Sequence, residues 1–294
     1  MGIGTMFKAN KAYRAQQSGK NEEAMRLYEE CFAEGLNDAR YVLSYAVLIL
    51  RDGQYQKAKD FLVKHQKAPG MTPEQRVNLI VDYAACCYRL GDIDKGVTKL
   101  EELHRKGPKS LIYQTLGYLY AEKYAMEKKP DFAALAAEEA RRKAEEAAAA
   151  AQAQAEEAEN ALTETEAPKK RKASEEEMSP EEAWKAGVEK ALAFNLEAVE
   201  YDDEDPVCLD NLGQIYYRVM GDRETARKYF DKAHKIKPEQ IDTLWFLSRY
   251  DLDRGDRAAA LEKLKKAAEG RFSPLNYCDR DQVKAEIAAL EGGN

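Results

Sequence analysis

Apolar residues recur every three to four positions over most of the chain, the spacing of helices that bury one face. Small residues interrupt that pattern at fixed places. Between Asn211 and Pro238, Gly213 stands among Leu212, Ile215 and Tyr216, where a packed helix would take a larger side chain. After Gly221 come Ala226, Phe230, Ala233 and Pro238, at offsets of 5, 9, 12 and 17. The same skeleton returns at Gly19, Ala24, Tyr28 and Cys31, and at Gly53, Ala58, Leu62 and His65. It returns again at Gly91, Gly96, Leu100, Leu103 and Pro108, and at Gly255, Ala260, Leu264 and Ala267. The phase glycines are separated by 34 (Gly19 to Gly53), 38 (Gly53 to Gly91) and 34 residues (Gly221 to Gly255). A generic helical bundle would be amphipathic without holding such a phase.

Two antiparallel helices that cross closely need Gly, Ala or Ser where their backbones meet. Large residues such as Phe230 then fill the space between one pair and the next. The glycine at each turn accepts the left-handed conformation that ends the first helix. This helix–turn–helix unit resembles the tetratricopeptide repeat. That family prefers a small residue at its eighth position and alanine at its twentieth, then a large apolar residue, alanine and proline further on. Gly213, Ala226, Phe230, Ala233 and Pro238 match all five, with one extra residue between the helices. The resemblance covers about four-fifths of the chain. It implies an all-α, right-handed superhelical solenoid of about six units.

One unit is split. Gly91 to Gly221 spans 130 residues where two units would take 68, leaving 62 in surplus. Ser110–Lys123 reads as a first helix, with Gly117 in the role of Gly213, and Ala183–Pro206 as its partner, with Ala191 and Ala198 at the small positions. The run Ser179–Glu182 offers a capping box with proline at the first helical position. The chain therefore divides into units one to three with the first helix of unit four (1–124), an inserted arm and linker (125–179), the rest of unit four with units five and six (180–278), and a capping helix (279–294). Within the insertion, Asp131–Leu162 is rich in alanine and glutamate and reads as a solvated helix without a coiled-coil heptad. Thr163–Pro180 reads as a charged flexible linker, in which KKRK could serve as a nuclear import signal. In the last segment Val283, Ile287 and Leu290 share one helix face, as a solenoid cap requires.

Composition narrows the function. With 34% charged residues and a net charge of −7, the chain lacks the concentrated basic surface of a general nucleic-acid binder. Its longest apolar run, Tyr41–Leu50, is too short to span a bilayer. No leader pattern opens the sequence, and Met6 stands where a myristoylation signal wants Ser or Thr. A cytoplasmic monomer is the expectation. Five cysteines without a C-x-x-C pair and three scattered histidines predict neither metal nor disulfides, and no cofactor is expected. No phosphate-cradling loop, H-E-x-x-H or G-x-S-x-G occurs, so the reading is non-catalytic.

The resemblance also implies where binding would occur. In that family the first helix of every unit lines a concave groove, and projecting its groove positions selects Tyr13, Arg40, Arg51, Asn78, Tyr88, Arg89, Gln114, Tyr118, Gln214, Tyr217, Arg218, Trp245 and Arg249. Aromatic, arginine and amide side chains suit a peptide or protein segment, giving flat contact area and donors for carbonyls or carboxylates. Tyr118 and Tyr217 are equally well placed for the core. Some relatives are co-chaperones that clamp a C-terminal carboxylate; here Asn78 and Asp82 replace the clamp's basic pair and Ser44 its asparagine, which disfavours that mode. Alternatives are a co-chaperone or assembly factor with a divergent groove, and a regulatory accessory subunit acting through the arm.

Overall fold

The computed structural model describes residues 2–160 and 178–292, so the KKRK run lies outside the described residues. Helices α1 (Ile3–Gln17) and α2 (Asn21–Ala33) form the first unit, α3 (Ala39–Arg51) and α4 (Tyr55–His65) the second, and α5 (Pro73–Arg89) and α6 (Ile93–His104) the third. α7 (Ser110–Lys123) opens the fourth. A 3₁₀ turn (Met126–Lys128) and α8 (Phe132–Asn160) then intervene before its partner, α9 (Pro180–Tyr201). α10 (Pro206–Gln214) continues through a π turn (Ile215–Val219) and pairs with α11 (Arg223–Ile236), α12 (Ile241–Asp253) pairs with α13 (Arg257–Ala268), and α14 (Arg280–Gly292) closes the end. Among the described residues there are fourteen α-helices and no strand.

The phase glycines do what their spacing implies. Gly19, Gly53, Gly91, Gly221 and Gly255 all take positive φ between 70° and 83°, each at the turn between the two helices of a unit. The small positions are helix crossings: Ala24, Ala58, Ala226 and Ala260 are fully buried. At Gly213 a Cβ atom would come within 2.7 Å of the Phe230 ring, which itself stacks on Phe246 of the next unit at 4.8 Å. Three large consecutive apolar cores follow, the first under units one to three, the second under units three to five, and the third under units five and six with α14, and a small cluster of Ala39, Val42 and Ala68 adjoins the first.

The extra residue in unit five is absorbed by the π turn. There Met220 N–H bonds to the Ile215 carbonyl, one residue further back than in an α-helix. Locally the ladder is wound wider, and the register of Phe230 beneath Gly213 is kept.

The split unit closes on itself. α7 packs on α9, and the buried Asn195 amide reaches from α9 to the Gly117 carbonyl at 3.5 Å. α9 starts at the capping box of Ser179 and Glu182, with Pro180 at the first helical position. Asp131 caps α8 through the N–H groups of Ala133 and Ala134. Phe132 meets Trp184 edge-on at 6.4 Å, and beyond it α8 is exposed through Ala153 except for half-buried Glu139. The opening of the inserted span differs from a solvated arm: Ala125 is fully buried, and the turn after it packs onto the solenoid. At the far end Val283 is buried, with Ile287 and Leu290 half-buried on the last core, so α14 caps it.

Candidate binding groove

The first helices of the units bring the thirteen groove-register residues to two quite different surroundings. In units four to six the surface is already filled by the chain itself. The Arg218 side chain, carried on the π turn, is only 4% exposed. Its guanidinium bonds Glu122 of α7 at 2.5 Å, Glu127 of the 3₁₀ turn at 3.0 Å and Gln214 at 3.3 Å. It also lies 4.2 Å from the ring centre of Tyr277, in the loop before α14. Glu122 accepts further bonds from the Tyr88 hydroxyl and the Lys128 ammonium, both at 2.9 Å. Burial alone would raise the Glu122 carboxyl, but Arg218 and Lys128 outweigh it and hold it below the usual range.

The filling continues toward the C-terminus. Trp245 donates to Glu286 of α14 at 3.1 Å, and Arg249 bonds the other oxygen of that carboxylate while stacking over Trp245 at 4.4 Å. Asp242 accepts from the Tyr277 N–H and the Asn276 amide, both at 3.1 Å, fastening the 273–278 loop across the face. Asp210 accepts from Thr243 at 2.5 Å and Gln214 at 2.8 Å. Neither Asp210 nor Asp242 has an ion-pair partner among the described residues, and burial pushes both carboxyls above the ordinary aspartate range. Beside them lies a cavity of about 400 Å³.

Four of the groove residues expected from the register are therefore closed off. Tyr118, Gln214, Arg218 and Trp245 are buried, Arg218 beneath the 3₁₀ turn and the Tyr277 ring and Trp245 against α14. Arg249 is half-buried against α14, and Tyr88 bonds Tyr118 at 3.2 Å and is half-buried. Tyr217 packs edge-on to Phe246 at 5.2 Å as part of the third core. Gln114 is half-buried and donates to Asp205 at 2.6 Å.

Units one to three are different. Tyr13 and Arg51 line a cavity of about 640 Å³ with Leu43, Ser44, Val47 and Arg271. Arg40 is exposed, over the rings of Tyr13 and Tyr41 at 5.7 and 4.3 Å, and Arg89 is exposed over Tyr55 at 5.4 Å. Asn78 is half-buried on α5. Arg271 was outside any repeat position and reaches this surface from the loop after α13. Glu122, Glu127, Asp210, Asp242 and Tyr277 were missed for the same reason or because acidic residues in helices read as solvent-facing.

Among the described residues no helix is long and apolar enough to cross a membrane. No protein-family model matches the chain, and no curated protein matches it in sequence. Solved structures do match. A thermophilic TPR protein of Thermus thermophilus, TTC0263, aligns with a TM-score of 0.54 and 15% identity, covering 86% of this chain and 99% of its own. The human IFIT1 dimer with m7Gppp-AAAA aligns with a TM-score of 0.50 and 14% identity over 92% of this chain, which spans 48% of that protein. The chain is thus a right-handed superhelical solenoid of stacked helix pairs. Its fold is that of the tetratricopeptide-repeat proteins.

Proposed function

We propose that this protein is a non-catalytic interaction scaffold that takes a peptide or protein segment along the concave surface of units one to three. The observation that carries this reading is the contrast between the two halves of the groove. Arg218, Trp245 and Arg249 are engaged within the chain, whereas Tyr13, Arg40, Arg51 and Arg89 keep exposed or half-exposed aromatic and guanidinium surface beside a cavity of about 640 Å³. Arginine and tyrosine are the residue types that dominate binding energy when a partner desolvates them. The acidic balance of the chain supports a protein partner over nucleic acid, and five buried free thiols support a reducing compartment such as the cytoplasm. We read the scaffold as a monomer, with α14 covering its last apolar edge.

Panning a random peptide library on the protein tests this. Selected peptides should bind the wild type and lose about 1–2 kcal/mol with Tyr13→Ala, and more with Val47→Asp. Lys99→Ala, on the opposite helix row, should leave binding unchanged. Failure to select binders, or equal binding to all three variants, would remove the groove as the interaction site.

A further inference from the structure

The open cavity has a chemical bias that its register alone does not convey. Its polar lining is made of Arg51, Arg271, amides such as Gln16 and Asn21, and Ser44, and no aspartate or glutamate lines it. Neither Arg51 nor Arg271 has a carboxylate within ion-pair distance among the described residues. Both guanidiniums are exposed and line the same cavity, so their positive charges add there. The nearest acids stand outside this lining: Asp52 is bonded by the Gln54 amide, and burial raises the Asp82 carboxyl against the pull of Arg51.

We propose that this cavity is a docking site for a short acidic segment of a partner protein, whose glutamate or aspartate carboxylates pair with Arg51 and Arg271. The inference rests on the groove reading above and specifies its ligand. Arginine presents a planar fork that matches a carboxylate with two parallel bonds, so two such forks select acidic side chains over amides. Leu43, Val47 and the Tyr13 ring supply the apolar wall on which the segment's remaining surface lies. The cavity is within the size range of a ligand site. Arg40, exposed at the far end of α3, and Arg89, exposed at the end of α5, extend the same positive character. A long polyanion is disfavoured by the net charge of −7, whereas a short acidic stretch meets only the local field.

Fluorescence anisotropy with a fluorescein-labelled hexaglutamate peptide tests the proposal. The wild type should bind it in preference to a labelled hexaserine peptide, and added salt should weaken the complex. Arg51→Ala and Arg271→Ala should each raise Kd about tenfold, with circular dichroism unchanged, while Arg105→Ala on the back of the solenoid keeps wild-type affinity. Equal affinity for hexaserine, or wild-type affinity in both cavity variants, overturns the proposal. So does tighter binding of a labelled oligoadenylate that is lost in Arg51→Ala, which would assign the cavity to nucleic acid. The library-selected peptides separate this from the groove reading. Binders that depend on Tyr13 and Val47 but not on Arg51 or Arg271 leave the groove standing and remove the acidic ligand; binders that depend on none of these remove both.

Discussion

Replacing Arg218 with methionine isolates the strongest consequence of the filled half-groove. The Arg218 and Glu122 side chains are only 4% and 5% exposed, and their 2.5 Å ion pair joins the π turn of unit five to α7 of unit four. Breaking a buried pair from one side costs about 3–5 kcal/mol, because the remaining charge stays buried without its partner. Glu122 would keep Lys128 and the Tyr88 hydroxyl, which places the expected loss near the lower end, about 3 kcal/mol. The stacking of Arg218 on Tyr277 adds about 0.5–1 kcal/mol. Urea unfolding followed by far-ultraviolet circular dichroism and by tryptophan fluorescence gives the measurement, provided the two transitions coincide. Combining Arg218→Met with Glu122→Met should recover roughly 2 kcal/mol of the loss, since an apolar pair no longer strands a charge. A single variant within about 0.5 kcal/mol of wild type, the value of an exposed pair, would refute this reasoning and return Arg218 to the ligand surface.

Other expectations follow from the same geometry. Gly213→Ala sets a methyl group 2.7 Å from a Phe230 ring held by Phe246, so overpacking of about 1–3 kcal/mol should exceed the gain of about 1 kcal/mol in helix propensity; a higher Tm would contradict this. Replacing residues 130–178 with a flexible Gly/Ser linker of roughly ten residues should leave Tm nearly unchanged, because closing a loop costs little and α8 contributes little to the core. Extending that excision to residue 125 should lower Tm, as it removes Glu127 from Arg218 and the buried Ala125. Asp210 and Asp242 titrate above the ordinary aspartate value of 3.8, so the stability they contribute is full below that pH and declines as pH rises through their raised values. Asp242→Asn should flatten this decline in urea midpoints measured from about pH 4 to about pH 8, and an unaltered slope would show that Asp242 is ionised throughout. Glu122 acts in the opposite sense and in a separate window: its contribution is present above the ordinary value of 4.5 and lost as pH falls through its depressed value.

Much of the architecture was legible along the chain because its determinants are local. A glycine at positive φ, an alanine at a helix crossing and a phenylalanine one turn later act over a single unit, so Gly221, Ala226 and Phe230 carry their meaning in their spacing. The split of unit four was legible for the same reason, since Gly117 and Ala198 mark two halves of one pattern. What fills the groove was not. Repeat register says which face a side chain leaves, but not what later covers that face. Arg218 meets Glu122 across 96 residues of sequence and Glu127 across 91, and Tyr277 reaches it from a loop outside the repeats. Lys263 of α13 likewise forms an ion pair with the buried Asp251 of α12 at 2.7 Å, which no repeat position announces. The period in the sequence determined the stacked helix pairs. Only their superhelical closure, which brings the insertion and the C-terminal loop over the concave face, decided that one half of the groove is occupied by the chain and the other, around Arg51 and Arg271, is left open.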